Sequence, residues 1–266
     1  MDMRSILVLM GAEPRSMASL GVALDAARLL DAPVTGLRVP FWPEAGWFID
    51  TPQELPTGPA AIDAEPAFIA LCGEQGRGCD WIAEDGPAVE RLAFHSRYAD
   101  LVVVGRSRDS ADAGALPVAD LGRLALATAA PVLVVPTETP APFRPHRVLV
   151  AWNGRREAVR ALREALPLLR RAEEVVVLTV RPPGFDDDPD HRIIEHLARH
   201  RIKADARINF ASEFEAPGAI LAQARALGAG LVVMGAYGHS RAFESVLGGA
   251  TRHLLEHADR PVLMAH

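Results

Sequence analysis

The sequence is poor in several residue types that would point to particular classes of protein. It holds only two cysteines, Cys72 and Cys79, too few for a disulfide scaffold or a cysteine-based zinc site. Aromatic residues make up 6% of the chain, and no basic run is interleaved with them as in single-strand nucleic-acid binders. Because the formal net charge is −6, neither nucleic acid nor an anionic membrane surface is expected as a partner.

Long apolar segments and common catalytic motifs are also missing. No apolar run has the length that a membrane-spanning helix needs, and the stretch before Met10 reads as a strand, without the cleavage site of a signal peptide. The sequence contains no P-loop, no nucleophile elbow and no metal-ligating cluster. We therefore predict a cytoplasmic protein with no catalytic residues and no metal site of its own.

What the chain does contain is a repeat of domain size. Gly105 and Gly235, each ending a run rich in valine and leucine, lie 130 positions apart, and the closing apolar runs of the two copies share this offset. A proline-rich linker separates the copies. We predict two tandem domains, 1–140 and 141–266.

Within each domain, strand-length apolar runs alternate with segments of helical periodicity. In the second domain we predict strands near 146–152, 174–181, 203–210, 230–234 and 261–265, and helices near 155–170, 189–201, 216–228 and 249–258. Nearly continuous apolar strands need cover on both faces, which favours a parallel sheet. The prediction is an α/β fold in which each domain is a five-stranded, parallel, doubly wound sheet.

Two segments bear on association. The closing runs 131–135 and 261–265 are predicted to be able to pair, which would satisfy both edges within one chain as an intramolecular pseudo-dimer. A homodimer through another surface is the alternative. The proline- and aromatic-rich segment around Trp42 and Trp47 is interpreted either as a loop that covers a core edge or as a partner-docking loop.

The glycines of the second domain are spaced as a phosphate-binding loop requires. Gly235 and Gly238 follow a predicted strand, nine residues intervene, and Gly248 and Gly249 precede a predicted helix. Glycine lets the backbone approach a ligand closely, and a helix N-terminus offers free N–H donors. The alternative is that these glycines serve a tight turn and close packing of helix against sheet.

Together these motifs resemble the universal stress protein (UspA) family, and the double copy resembles its tandem members. The resemblance is carried by four segments: Val148-Leu149-Val150-Ala151-Trp152-Asn153-Gly154, Gly235-Ala236-Tyr237-Gly238, Gly248-Gly249-Ala250-Thr251 and Arg260-Pro261-Val262-Leu263. It implies a flavodoxin-like, HUP-type fold, a role in the stress response, dimerisation through the last strand and, in many members, binding of ATP, with Mg²⁺ as an optional companion.

The resemblance also implies positions for the adenine nucleotide. The nucleoside end would lie at 151–153, the base beside β-strand residue 180, and the phosphates at 234–238 and 248–251. The nucleotide-binding residues expected in this way are Ala151, Trp152, Asn153, Val180, Met234, Gly235, Gly238, Gly248, Gly249, Ala250 and Thr251. Two of them depart from the family pattern, since Asn153 stands where an aspartate is usual and Gly249 where a hydroxyl residue is usual.

The first domain departs further from the pattern, and we predict no nucleotide site there. Gly11 stands at the position of Asn153, and Gly105 is kept. The counterparts of Gly238, Gly248, Gly249 and Thr251 are Arg108, Val118, Ala119 and Leu121. Arg106 is assigned, with its neighbours, to a loop of mixed charge.

Three functions stay open at this level. The first, which we predict, is a stress-response protein that binds ATP in its second domain as a regulatory ligand. The second is an interaction module of the same fold that acts through its surfaces without a nucleotide. The third is a slow ATPase, but hydrolysis needs a residue that orients water, and the sequence nominates none.

Overall fold

A computed structural model describes residues 3–11, 14–39, 64–74, 76, 78–107, 114–137, 139, 142–184, 190–236 and 249–266. All strands in these ranges belong to one continuous, mostly parallel sheet. The segment that contains Trp42 and Trp47 lies outside the described residues, so its two interpretations remain predictions.

In the part of the chain that the structure describes, the first half has six strands and four helices, and the second half has five strands and four helices. The strands are β1 Ile6–Met10, β2 Val34–Arg38, β3 Cys79–Ala83, β4 Leu101–Ser107, β5 Ala115–Pro117 and β6 Val132–Val135. The helices are α1 Pro14–Leu30, α2 Ala64–Glu74, α3 Ala88–His95 and α4 Val118–Ala127, with a 3-10 turn at Ser96–Tyr98.

The second half contains the rest of these strands and helices. The strands are β7 Arg147–Ala151, β8 Glu174–Arg181, β9 Ala204–Phe210, β10 Leu231–Gly235 and β11 Val262–Ala265. The helices are α5 Arg156–Leu169, α6 His191–Arg199, α7 Ala216–Leu227 and α8 Gly249–His257. Each strand and helix predicted for this half is present, with ends that shift by no more than two residues.

The strand order is β3-β2-β1-β4-β6-β11-β10-β7-β8-β9, with the short β5 paired to β4. Along this order each half contributes five parallel strands. In each half the chain winds outward from the first strand and then crosses to the other side of that strand. The predicted fold class, two tandem doubly wound α/β domains, is confirmed. The crossing creates a crevice at the carboxyl ends of two neighbouring strands, where ligands bind in such sheets. We call the gap between β1 and β4 the first crevice and that between β7 and β10 the second crevice.

Two apolar layers cover the faces of the sheet, and each runs through both halves. One layer packs α1, α2, α5 and α6 against the sheet, and the other packs α3, α4, α7 and α8. Inner strands such as β1, β6 and β11 are buried on both sides because their residues are almost all valine, leucine, isoleucine or methionine. Within the described ranges, no helix combines the length and the apolar character needed to cross a bilayer.

The two halves meet at an antiparallel pair of strands, β6 and β11. Leu133 lies directly opposite Leu263, and both side chains are fully buried. This is the pairing of closing strands considered from the sequence. The linker is anchored nearby, because Phe143 is buried in the core and its N–H donates to Asp25 Oδ2 at 2.8 Å. The halves therefore share one core as well as one sheet.

The two cysteines are both free thiols, and they lie beside each other between α2 and β3. Cys72 is only 1% exposed, and burial, together with the adjacent Cys79 thiol, raises its pKa to about 12. Because the thiolate is the reactive form, Cys72 is nearly all unreactive thiol at pH 8.

We expect iodoacetamide at pH 8 to leave Cys72 unmodified in the native protein and to modify both cysteines after unfolding. Peptide mass spectrometry measures the result. The Cys72→Ser variant is the control, since it should show the same native labelling as the wild type. Rapid modification of Cys72 in the folded protein would contradict the expectation.

Candidate functional site

The second crevice is built from the ends of β7 and β10 and the first turn of α5. β7 ends at Ala151, and four residues, Trp152 to Arg155, lead from it into α5. β10 ends at Gly235, and β11 ends beside it at Ala265. The residues predicted for the nucleoside end are thus brought to the same edge of the sheet as Met234 and Gly235 of the predicted first phosphate loop.

Asn153 forms the turn that starts α5. Its side-chain Oδ1 accepts a hydrogen bond of 3.0 Å from the backbone N–H of Arg155, and Gly154 takes a left-handed φ of +71°. This is the Asx turn that asparagine and aspartate favour ahead of a helix. The amide oxygen is therefore engaged in the chain's own structure, while the exposed amide NH₂ can still donate to a ligand.

The Trp152 side chain points away from the second crevice, where it was predicted to lie near the nucleoside. Its indole packs against the core layer of α1, α5 and α6, and its Nε1–H donates to Asp190 Oδ2 at 3.4 Å. Burial favours a higher pKa for Asp190, but hydrogen bonds from Arg192 and Trp152 outweigh it and hold the pKa below its usual value. The Trp152 side chain thus links β7 to the start of α6, and the part of Trp152 that lies near the crevice is its backbone.

Gly235 is required by packing. A Cβ built on it would lie 2.5 Å from Ala158 N and 2.8 Å from Glu157 Cβ, so the first turn of α5 rests directly on the glycine. Such contacts leave no room for any side chain. This is the packing role that was one of the two interpretations of the glycines, and it applies to Gly235 whether or not a ligand binds.

Glu157 is a buried acid at the second crevice that sequence reasoning missed. It is 8% exposed, and its Oε1 accepts a 2.8 Å hydrogen bond from Arg156 Nε. Burial works to raise the pKa of Glu157, but this hydrogen bond, the Glu157 backbone N–H and the charges of Arg156 and His266 hold it below its usual value. Glu157 is therefore ionised at neutral pH and forms an ion pair with the Arg156 guanidinium. The available signal was an acid in the first turn of a helix, where the helix dipole stabilises it.

The remaining predicted residues fall into three groups. Ala151 and Val180 are half-buried strand residues, and Met234 has a buried side chain inside β10, so only its backbone can face a ligand. Gly249 and Ala250 are exposed in the first turn of α8, while the Thr251 side chain is buried. Gly238 and Gly248 lie outside the described residues, so their predicted contacts remain predictions.

The second half of the chain is similar in sequence to a known protein family. The sequence model of the universal stress protein family matches residues 145–266. The second half is therefore a domain of the universal stress protein family. A comparison with curated proteins finds no match.

Solved structures extend the likeness in fold to the whole chain. A universal stress protein from Archaeoglobus fulgidus DSM 4304 is 16% identical and superposes with a TM-score of 0.71, covering 99% of this chain and 96% of its own. A functionally unknown protein from Pseudomonas aeruginosa PAO1 has a TM-score of 0.59 at 18% identity, covering 99% and 92%. The cytoplasmic domain of a prokaryotic cation chloride cotransporter has a TM-score of 0.56 at 13% identity, covering 99% and 96%. At these identities the likeness establishes the fold.

In the first half of the chain, the protein fills its own crevice. β5 pairs with the end of β4, with Ala115 beside Gly105, and the residue before it is pressed onto the end of β1. A Cβ on that residue, Gly114, would lie 2.9 Å from the backbone N of Gly11 and 2.6 Å from Ser16 Cβ. Ala115 and Leu116 are buried there, so the first crevice is occupied by the protein's own chain.

Gly105 and Gly235 share a packing role, which accounts for the one glycine that both copies keep. A Cβ on Gly105 would lie 2.8 Å from Ser19 Oγ of α1, just as one on Gly235 would meet α5. Arg106, which was assigned to a loop of mixed charge, is instead part of β4 and only 7% exposed. Its Nη1 donates to Leu255 O in α8, so it ties the two halves together. That assignment was wrong because β4 continues past Gly105 to Ser107 and α8 of the other half provides a partner for the guanidinium.

Proposed function

We propose that the universal stress protein domain of the second half binds an adenine nucleotide, ATP, as a regulatory ligand, and that the protein acts in the stress response from the cytoplasm. The observation that carries the proposal is the exposed start of α8, where a Cβ on Gly249 would meet no atom within 4 Å. In the first half β5 fills the crevice, and the counterpart of β5 in the second half lies outside the described residues.

The donors at the second crevice suit a nucleotide. The first N–H groups of α8 have no partner within the helix and lie at its positive end, which favours phosphate. The exposed Asn153 amide can donate to a ribose hydroxyl or a base edge. In the first half, the position of Ala250 is taken by Asp120, which adds a negative charge to a crevice that is already filled.

Glu157 bears on the form in which the nucleotide would bind. An ionised carboxylate opposes a bare polyphosphate, whereas carboxylates are the ligands that Mg²⁺ prefers. The residues present therefore fit ATP accompanied by Mg²⁺ better than free ATP. When bound, Mg²⁺ would offset the charge between carboxylate and phosphates. Because Glu157 is already held by Arg156, we propose a ligand that is bound rather than efficiently hydrolysed.

One observation favours the alternative of an interaction module without a nucleotide. Phe214, in the turn between β9 and α7, is 99% exposed, and Phe210 at the end of β9 is about half exposed. Aromatic side chains on a surface are characteristic of protein interfaces. The two functions are compatible, since these residues belong to β9 and the following turn rather than to β7 or β10.

The test is the variant Ala250→Asp, which gives the second half the acidic residue of the first. We expect calorimetric titration with Mg-ATP to show at least about tenfold weaker binding, or about 1.4 kcal/mol, because the new carboxylate faces the phosphates. The fold should survive, since an acid in the first turn stabilises a helix. Ala222→Asp, on the exposed side of α7, is the matched control and should bind as the wild type does.

Two results would contradict the proposal. Absence of binding heat at millimolar Mg-ATP in the wild type, with no nucleotide released from the purified protein, would favour the interaction module. Equal affinity in Ala250→Asp and wild type would place the nucleotide away from α8.

A further inference from the structure

The strand β9 forms one edge of the sheet. It spans seven residues, pairs with β8 on one side, and has no strand on its other side within the part of the chain that the structure describes. The closing strands, in contrast, are already joined to each other as β6 and β11. A free edge of this length presents a row of backbone donors and acceptors that another strand can pair with.

The hydrogen bonds to β8 fix which backbone groups of β9 face outward. The N–H of Ala211, just past the strand, donates to Arg181 O of β8 at 2.9 Å. Residues two apart along a strand direct their backbone groups to the same side, so Asp205 and Arg207 also bond toward β8. The N–H and C=O groups of Ala204, Ala206 and Ile208 therefore point to the free edge.

The charges on β9 are complementary to themselves. Asp205 and Arg207 are both exposed and, being two apart, lie on one face of the sheet. If a second copy pairs antiparallel about Ala206, Asp205 of each copy lies directly opposite Arg207 of the other. Ala206 then makes the central hydrogen-bonded pair, which leaves both charge pairs in the closer, non-hydrogen-bonded positions. Arg207 at present has only a 3.7 Å surface contact to Glu174.

Other pairings are less favourable. Centring the pair on Ala204 sets Asp205 opposite Lys203, but it also sets Arg207 opposite Arg201 of the second copy. Centring it on Ile208 sets Arg207 opposite Asn209, so that no charge pair forms there. The opposite edge of the sheet, β3, lacks the pattern, because a pair about Trp81 sets Asp80 opposite Ile82. Like charges or mismatched residues directly across a pair are destabilising.

We propose that β9 is an interface between two copies of this chain, which pair antiparallel about Ala206 and continue the sheet across both. The occupant is a second copy because the Asp205 and Arg207 charges match themselves only in that arrangement. This inference is independent of nucleotide binding.

The test is a charge exchange followed by sedimentation. The wild type should be a dimer at micromolar concentration. Arg207→Asp sets acid against acid, and Asp205→Arg sets base against base, so each should weaken the dimer at least about tenfold. The double variant Asp205→Arg/Arg207→Asp restores both opposite pairs and should return the dimer, which no purely structural effect of either change would do.

A backbone variant gives a second measure. Ala206→Pro removes the outward N–H at the centre of the pair while leaving the bonds to β8 intact, and should give a folded monomer by circular dichroism and sedimentation. A wild type that is monomeric at 100 µM, single variants that remain dimeric, or a double variant that stays monomeric would each overturn the proposal.

Discussion

The Gly235→Ala variant should lose about 3 kcal/mol of unfolding free energy. The added Cβ would lie 2.5 Å from Ala158 N and 2.6 Å from the carbonyl carbon of Glu157, and both are backbone atoms of α5. A flexible side chain could turn aside, but α5 as a whole must shift off β10, which places the cost at the upper end for overpacking. For a chain of this size that corresponds to a fall in Tm of about 6–10 °C, measured by thermal unfolding.

Gly249→Ala is the matched control for this change. A Cβ there meets nothing within 4 Å, and alanine is the better helix former, so Tm should stay the same or rise slightly. The two variants distinguish a glycine that packing requires, Gly235, from one that packing does not require, Gly249. Equal stability in both variants would show that α5 does not rest on Gly235, and would return that glycine to a role in ligand binding alone.

The Leu133→Ala variant, at the seam between the two halves, should lose about 2–5 kcal/mol of unfolding free energy. Leu133 and Leu263 are fully buried, lie opposite each other across β6 and β11, and belong to the same core layer. Truncation leaves a cavity where the two halves of the sheet meet, and neither half can close over it without moving the other. Chemical denaturation followed by circular dichroism measures the loss, and Leu126→Ala, at an exposed leucine, should be nearly neutral.

The same seam predicts how the chain unfolds. Because the two halves share one core, both should unfold in a single calorimetric transition in the wild type and in Leu133→Ala alike. Leu263→Ala should cost a similar amount, and the double variant should cost less than the sum, since both truncations open one cavity. Two separate transitions, or strictly additive losses, would show that the halves are independent domains.

The regular elements could be predicted from the sequence because their residues decide them locally. Runs such as Val175 to Leu178 are apolar on both faces, and α5 repeats its apolar residues with helical period. β5 could not be predicted in this way. Its three residues form a strand only because Gly114 fits against Gly11 and places them beside β4, and that is a contact between distant segments.

The candidate site was only partly predictable for a similar reason. The sequence places Asn153 and Gly235 at one edge of the sheet, as the structure does. It does not show that the Asn153 side-chain oxygen accepts a hydrogen bond within its own turn, or that α5 packs directly on Gly235. Nor does it show that Glu157 is buried next to Gly235. Each of these depends on which neighbour a residue meets after folding, and residue type alone does not determine that.

The antiparallel joint between β6 and β11 has a consequence for synthesis on the ribosome. β6 completes the first half of the sheet at Val135, but its partner begins at Val262, so the whole second half must be made before that edge is covered. At about 5–20 residues per second, the nascent chain displays an apolar strand with one uncovered edge for roughly ten seconds. Chaperones that shield such edges would act during this interval.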